Sequence, residues 1–233
     1  MGDRGTRIAL TGLAFGGLVL SAACAPTQAS QELRPGAAAG YFPLRPDLSW
    51  TYRVSDDRGR SRDLPTRVEG PVFWGAGSGG PVFAVHSELL DGSVLRWERR
   101  LGDEVACVQE EVRDSSGTIT MEEAYDPPVI VIDERPAHLS PGAEGSETFM
   151  DTTPNYKGHP RARAAKVKWT VESTNDRVTV PAGTFTCLRV RRVRKHRPPT
   201  VSWYAKGVGL VKELGAGPLG DETLALIQAM APK

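Results

Sequence analysis

The chain has 233 residues, which is the length of one globular domain or at most two. With 39% hydrophobic and 24% charged residues, its composition excludes a disordered chain and a polytopic membrane protein. Lys and Arg total 29 against 28 for Asp and Glu, so no net field attracts nucleic acid, and we expect no nucleic-acid partner. Three cysteines are too few for a disulfide-framed miniprotein or a cysteine-rich zinc module.

The first 23 residues have the pattern of an export signal. Arg4 and Arg7 precede an apolar run over 8–20, which is too short to cross a bilayer but typical of a signal-peptide core. Small residues follow, and then Cys24, with Ser21 at a place where leucine is usual. This arrangement resembles the bacterial lipobox, which implies cleavage before Cys24 and lipidation of its thiol, palmitate included. The alternatives are an ordinary secretory cleavage with Cys24 incidental, and a retained anchor.

Three segments follow from this pattern. Residues 1–23 are the signal peptide, 24–40 carry the lipidated cysteine and a flexible tether of low complexity, and 41–233 form a single β-rich domain. Ala25-Pro26 gives no inner-membrane retention signal. We therefore expect a lipid-anchored envelope protein, at the outer membrane and facing the periplasm, with a secreted or periplasmic protein as the alternative. The membrane is then a partner through the anchor.

The domain has the period of β-strands. Trp50, Tyr52 and Val54 alternate with polar residues, and a polar turn follows. Further strands are predicted at 81–89, 93–100, 105–113, 118–125, 129–132, 166–173, 178–180, 185–193, 200–204, 209–214 and 223–229. The run over 129–132 has no polar face, so we expect it to be buried on both sides. Segment 133–160 loses periodicity and is predicted as an irregular excursion, and little helix is expected.

Three blocks of sequence carry a resemblance to a known family. They are YFPL at 41–44 followed by WTY at 50–52, VPAGTF at 180–185, and WYAKGVGLV at 203–211. They resemble the blocks of a family of uncharacterised bacterial secreted and lipid-anchored β-rich domains, which look like relatives of LolA and LolB. The resemblance implies a mainly β fold: a single antiparallel, strongly curved sheet or a half-open β-barrel. The chain departs from the family at Asp47, where glycine is commoner, and over 133–160.

No catalytic constellation is apparent, so we expect no enzyme, no cofactor and no metal site. The four histidines, without metal-ligand spacing, are His86, His138, His159 and His196. Glu110-Glu111 and Glu122-Glu123 are neighbours in predicted strands, where adjacent side chains point to opposite faces, so we expect solvated edges. A G-x-G-x-x-G run over 75–80 leads into a predicted strand rather than a helix, which indicates a hairpin loop and not a dinucleotide site.

A basic run crosses one predicted hairpin. Its six cations are Arg189, Arg191, Arg192, Arg194, Lys195 and Arg197. Such a run could contact an anionic ligand, namely lipid headgroups, lipopolysaccharide phosphates or acidic glycans. The alternative is a solvated hairpin whose arginines pair with the acidic strands.

Cys107 and Cys187 both lie in the middle of predicted strands. Export permits oxidation, so a disulfide between them is one interpretation, worth up to roughly 4 kcal/mol in the chain-entropy model. Two buried free thiols are the other.

Two functions remain after these exclusions. In the first, the protein is a non-enzymatic lipoprotein whose concave sheet binds a hydrophobic or lipid-like ligand. In the second, it is a structural or assembly lipoprotein that acts through protein–protein contacts. The volume enclosed by the sheet distinguishes these two functions: an empty cavity favours a carrier, whereas a packed interior favours an interaction domain.

Overall fold

The computed structural model describes residues 40–73, 80–153, 159–195, 197–217 and 220–230; the predicted signal segment and Cys24 lie outside them. The strands are β1 (Ser49–Ser55), β2 (Ser61–Val72), β3 (Val82–Leu89), β4 (Gly92–Leu101), β5 (Glu104–Asp114), β6 (Ile119–Asp133), β7 (Glu144–Thr153), β8 (Arg161–Val180), β9 (Gly183–Arg194), β10 (Thr200–Ala205), β11 (Gly209–Gly217) and β12 (Gly220–Met230). A 3-10 turn spans Pro136–His138. Within the described ranges, no helix has the length and apolar character needed to cross a membrane.

The strands form one closed antiparallel barrel. Each strand pairs with its neighbours in chain order, and β1 closes the ring by pairing with both β2 and β12. Closure removes the exposed sheet edges that invite association with other chains. The prediction of a mainly β, barrel-like fold is confirmed, and the structure makes the barrel closed rather than half-open.

The period-two pattern of β1 is confirmed by burial. Trp50, Tyr52 and Val54 are all buried, whereas Arg53 between them is exposed and donates to Asp63 of β2. Trp203 and Tyr204 of β10 are buried as well. Trp50, Tyr52, Trp203 and Tyr204 therefore belong to the hydrophobic core.

Two strands were missed by the sequence pattern. β2 contains Pro65 and Pro71, which argue against a strand, yet it pairs with β1 over the whole length of β1. The prediction of an irregular excursion over 133–160 is wrong for β7, which pairs with β8 along all ten of its residues. Its pattern is weak because two of the residues on its inner face, Glu147 and Asp151, are acidic.

The apolar run over 129–132 is less buried than its composition predicts. Only Ile132 is buried, while Val129, Ile130 and Val131 are half-buried. The reason lies in the pairing of β6 with β7, which covers three residue pairs around Tyr125 and leaves this part of β6 without a ladder partner on that side.

The long β8–β9 hairpin reaches over the strands that follow it. Bulges near Ser173 bend it, and its tip brings the amide of Ala182 to 3.1 Å from the carbonyl oxygen of Leu226 in β12. The indole of Trp203 donates to Asp176 of the same hairpin at 3.1 Å. Gly183 closes the turn after Pro181 with φ of +136°, a conformation that glycine adopts without strain.

Candidate functional site

The centre of the barrel is polar. Tyr52 on β1 experiences the charges of Arg96 on β4 and Glu213 on β11, although these strands do not neighbour one another. Their side chains therefore face the same interior. Tyr52 donates its hydroxyl to the carbonyl oxygen of Leu210 at 3.1 Å, and Ser202 donates to Glu213 at 2.6 Å. Burial raises the pKa of Tyr52.

Glu98 is the most deeply buried carboxyl group of this lumen. Its residue is 0% exposed, and its Oε1 lies 3.1 Å from Nη2 of Arg96 without hydrogen-bond geometry. Burial raises the pKa of Glu98, and the Arg96 guanidinium opposes that shift in part. Burial also raises the pKa of Glu110, the cross-strand partner of Arg96. The lumen thus holds carboxyl groups that resist ionisation.

The apolar end of the lumen is filled by its own side chains. A cavity of about 10 Å³ lies there. It is lined by Ile130, Ile132, Asp133, Trp169, Val171, Leu188, Val190 and Arg192. This volume is on the order of one water molecule, so an acyl chain does not fit in it. This part of the interior is packed, which is the condition that the sequence argument assigned to an interaction domain.

A second and larger cleft is charged. It has a volume of about 120 Å³ and is lined by Asp151, Thr153, Arg161 and Arg163. Asp151 is 1% exposed, and its Oδ2 accepts from Nε and Nη2 of Arg163 at 3.0 and 2.8 Å and is also contacted by Nη2 of Arg194. Its other oxygen, Oδ1, is buried and has no hydrogen-bond partner among the described residues.

Glu123 of β6 extends this charged group. Its Oε2 accepts from the hydroxyl of Tyr125 at 3.0 Å, and its Oε1 lies 4.0 Å from Arg163 and 3.8 Å from Arg197. Asp151 and Tyr125 are cross-strand partners, so the cleft continues the polar lining of the lumen.

The predicted basic run does not form one patch, because alternate residues of β9 face opposite sides. Arg192 and Arg194 face the lumen, where they contact Tyr204 and Asp151. The remaining cations have other partners or are exposed. Arg189 and Arg191 pair with Glu172, Arg189 also pairs with Asp176, Arg197 lies near Glu123, and Lys195 is exposed. Pairing with acidic residues is what the structure shows for Arg189, Arg191, Arg194 and Arg197; contact of the run with an anionic ligand stays a prediction.

Both cysteines of the domain have free thiols. Cys107 and Cys187 are buried, and the thiol of Cys107 donates to the carbonyl oxygen of Gln109 at 3.3 Å. Burial raises the pKa of both thiols, that of Cys187 to about 12. The structure therefore agrees with the interpretation of two buried free thiols and not with that of a disulfide.

The glutamate pairs lie on opposite strand faces, as predicted, but the expectation of solvated edges is wrong. Glu111 and Glu123 are buried. Glu111 accepts from the indole of Trp97 at 3.0 Å and pairs with Arg113. Within the described ranges, no three His, Cys, Asp or Glu side chains are grouped so as to hold a metal ion.

The sequence argument missed the charged cleft. Asp151 comes from the segment 133–160 that was predicted to be irregular, and Arg163 lies between that segment and the strand predicted at 166–173. Arg161 and Arg163 are two positions apart, which places them on one face of a strand, but that signal has meaning only once β8 is known to begin at Arg161.

No protein-family model and no curated protein matches this chain. Among solved structures it resembles a Bacteroides fragilis protein described as exported and as having a YmcC-like fold, at 14% identity and a TM-score of 0.42, over 83% of this chain and 100% of that one. It also resembles a Parabacteroides distasonis protein described as a lipoprotein, at 12% identity and a TM-score of 0.38, over 82% and 99% of the two chains. Because both scores are below 0.5, we draw no conclusion about this chain from either protein.

Proposed function

We propose that the protein is a non-enzymatic cell-envelope lipoprotein, anchored through Cys24, that acts by binding a partner protein rather than by carrying a lipid inside its barrel. Its location follows from the signal pattern and the lipobox-like segment. An outer-membrane position facing the periplasm is part of the proposal, and so is the relationship to the LolA and LolB barrels.

One observation carries the choice between carrier and interaction protein. A lipid carrier needs an apolar volume for an acyl chain, whereas the apolar end of this lumen has about 10 Å³. Towards the centre stands the partly exposed guanidinium group of Arg96 beside the buried Glu98, and an acyl chain there would have to desolvate that guanidinium group. A lumen whose apolar end has no room for an acyl chain leaves the outer surface and the charged cleft for binding.

The carrier function is tested by extraction. The exported chain from residue 24 onward, with Cys24→Ser and a conventional signal peptide, is purified from the periplasm without detergent and extracted with organic solvent. Mass spectrometry is expected to find no stoichiometric lipid in a protein that still unfolds cooperatively. A bound lipid at one molecule per chain would overturn the proposal in favour of a carrier.

The partner is sought by site-specific photo-crosslinking in cells. Phe73 at the end of β2 and Leu90 in the β3–β4 turn are the most exposed large apolar side chains that the structure describes, at 73% and 83%. A crosslinker at one of these positions is expected to give a discrete protein adduct. Ser116, an exposed polar residue of the β5–β6 turn, is the matched control and should give none. Partner binding would be contradicted if no position gave an adduct, or if Ser116 gave as much adduct as Phe73 and Leu90.

A further inference from the structure

The β2–β3 hairpin projects past one end of the barrel. Just before β1 begins, the carbonyl oxygen of Leu48 accepts from the amide of Val68 in β2 at 2.8 Å. β2 continues for four more residues, to Val72, which pairs with Val82 of β3. The end of this hairpin therefore extends beyond the start of β1.

The projecting end is apolar on both of its sides. Val72 and Phe73 are consecutive residues, and consecutive side chains of an extended chain point to opposite sides. Both are nevertheless exposed, at 40% and 73%, and Pro71 before them is exposed as well. Contiguous exposed apolar side chains mark a surface that binds another molecule. Pro71, Val72 and Phe73 are called the apolar tip below.

Leu101 belongs to the same rim of the barrel. β3 joins the two places, because its residue Val82 pairs with Val72 and the next residue, Phe83, pairs with Glu98 of β4. Leu101 ends β4 three residues beyond Glu98 and is 36% exposed. Neighbouring strands thus present exposed apolar residues at one end of the barrel.

The chain enters the barrel at this same end. The carbonyl oxygen of Gly40 accepts from the amide of Gly207, in the β10–β11 turn, at 2.8 Å. Because the strands alternate in direction, the connections that follow even-numbered strands all lie at one end, and the β2–β3, β4–β5 and β10–β11 connections are among them. Sixteen residues, 24–39, precede Gly40 from the proposed anchor onward. A lipid on Cys24 is therefore joined to the end that carries the apolar tip.

The length of these sixteen residues favours this end as the one that faces the bilayer. They span at most about 55 Å when fully extended, and a ten-residue strand such as β4 is about 33 Å long. To bring the opposite end to the membrane, the chain would have to run back along the barrel over more than half of its maximum reach. Such extension costs conformational entropy. The anchor also raises the local concentration of the barrel at the bilayer, so a weak apolar contact is sufficient there.

Charges of both signs lie at this end. Arg45 and Lys206 are exposed, and so are Asp47 and Asp103. Positive and negative side chains near one another give little net attraction to an anionic surface. Burial of apolar side chains is therefore the term that would hold this end on a bilayer.

We propose that the apolar tip, with Leu101 beside it, docks on the lipid bilayer to which Cys24 anchors the chain. The inference rests on the anchor of the proposed function, and it adds an orientation to that function. The opposite end of the barrel, where Leu90 lies in the β3–β4 turn, is then left free for the partner protein.

Quenching by spin-labelled lipid tests the docking. The lipidated chain from residue 24 is reconstituted in phosphatidylcholine vesicles, and one added cysteine carries the environment-sensitive dye NBD. The dye is placed by Phe73→Cys, and Leu90→Cys is the matched control, because Leu90 is an exposed apolar residue at the opposite end. Doxyl groups on the lipid acyl chains are expected to quench NBD at position 73 and to leave it unchanged at position 90. Equal quenching at both positions, or none at position 73, would overturn the proposal.

A second set of variants tests the contribution of the tip itself. With NBD placed by Leu101→Cys, quenching is expected to be largely lost when Phe73→Ser is added and to be unchanged when Leu90→Ser is added. Added phosphatidylglycerol should change neither result. Quenching that Phe73→Ser leaves unchanged would show that the apolar tip does not hold the barrel on the bilayer. Thermal melts establish that each variant is folded, and the wild-type chain, treated with the dye in parallel, measures any reaction of the buried Cys107 and Cys187.

An artificial anchor separates failure of the docking from failure of the lipoprotein assignment. The chain from residue 25, with an N-terminal hexahistidine tag, is bound to vesicles that contain a nickel-chelating lipid, and quenching is compared with that in the same vesicles without doxyl groups. Quenching at position 73 in this chain, with no lipid found on Cys24, would support the docking surface and refute the natural anchor. A lipidated Cys24 without quenching at position 73 in either chain would retain the anchor and refute the docking. A discrete protein adduct at position 73 in cells would assign the tip to the partner protein and overturn the proposal.

Discussion

Trp50 and Val208 are 158 positions apart and are joined by a buried hydrogen bond of 2.7 Å, which the indole Nε1 donates to the backbone carbonyl oxygen. Trp50 belongs to β1, and Val208 lies in the turn between β10 and β11. The bond therefore connects the first strand of the barrel with the turn that precedes its last two strands. Residues of the first and last sequence blocks are therefore in direct contact.

Trp50→Phe is expected to destabilise the protein by about 1–3 kcal/mol, because a large ring remains in place but the carbonyl oxygen of Val208 loses its donor while staying buried. Urea denaturation measures the change in the free energy of unfolding. Phe73→Leu, at an exposed position, serves as control and should stay within about 0.5 kcal/mol of wild type. A Trp50→Phe variant as stable as the control would show that the bond contributes nothing.

Glu98→Gln is expected to raise stability above neutral pH. Burial raises the pKa of Glu98 above its unfolded value of 4.5, so the folded state holds the proton more tightly. The contribution of Glu98 to the free energy of unfolding is therefore fully present below pH 4.5, and it is lost as the pH rises through the raised pKa. Glutamine does not ionise, so the variant does not lose this stability as the pH rises. Arg96 still has the acidic residues Glu110 and Glu213 near it.

Thermal melts between pH 4 and 9 measure this effect. The melting temperature of the wild type should fall, relative to that of Glu98→Gln, as the pH increases. Glu88→Gln is the control, since Glu88 is half-exposed in an ion pair with Arg67. Parallel melting curves for wild type and Glu98→Gln at every pH would contradict the effect of burial on Glu98.

Cys107 and Cys187 are expected to react slowly with thiol reagents until the protein unfolds, because both are buried and both have raised pKa values that keep the thiolate scarce. Alkylation in denaturant without reductant should modify both residues, as intact-mass spectrometry can measure. The disulfide would be supported instead if the native protein were two hydrogens lighter than the reduced protein and if neither cysteine were alkylated before reduction.

Lipidation of Cys24 is expected from the sequence alone. Metabolic labelling with palmitate should mark the protein, and Cys24→Ala should lose the label and leave the membrane fraction. Cys107→Ala is the matched control, because it removes a cysteine from within the barrel and should retain the label. An unlabelled wild-type protein in the soluble envelope fraction would favour ordinary secretion.

Part of the fold could be predicted because alternation is a local property. The buried residues of β1 can be predicted from a short stretch of sequence. β2 could not, since its prolines argue against a strand, and β7 could not, since the inner face of this barrel accepts the charges of Glu147 and Asp151.

The sequence by itself determined that the domain is built of antiparallel strands, and it supplied the signal pattern with Cys24. Only the tertiary structure decided that the barrel closes, that Cys107 and Cys187 are separate buried thiols, and that Asp151 meets Arg163 and Arg194. The physical reason is that strand alternation depends on neighbours two positions apart, whereas closure and the charged cleft depend on which distant strands become neighbours. That choice is a balance of burial and charge pairing over the whole chain.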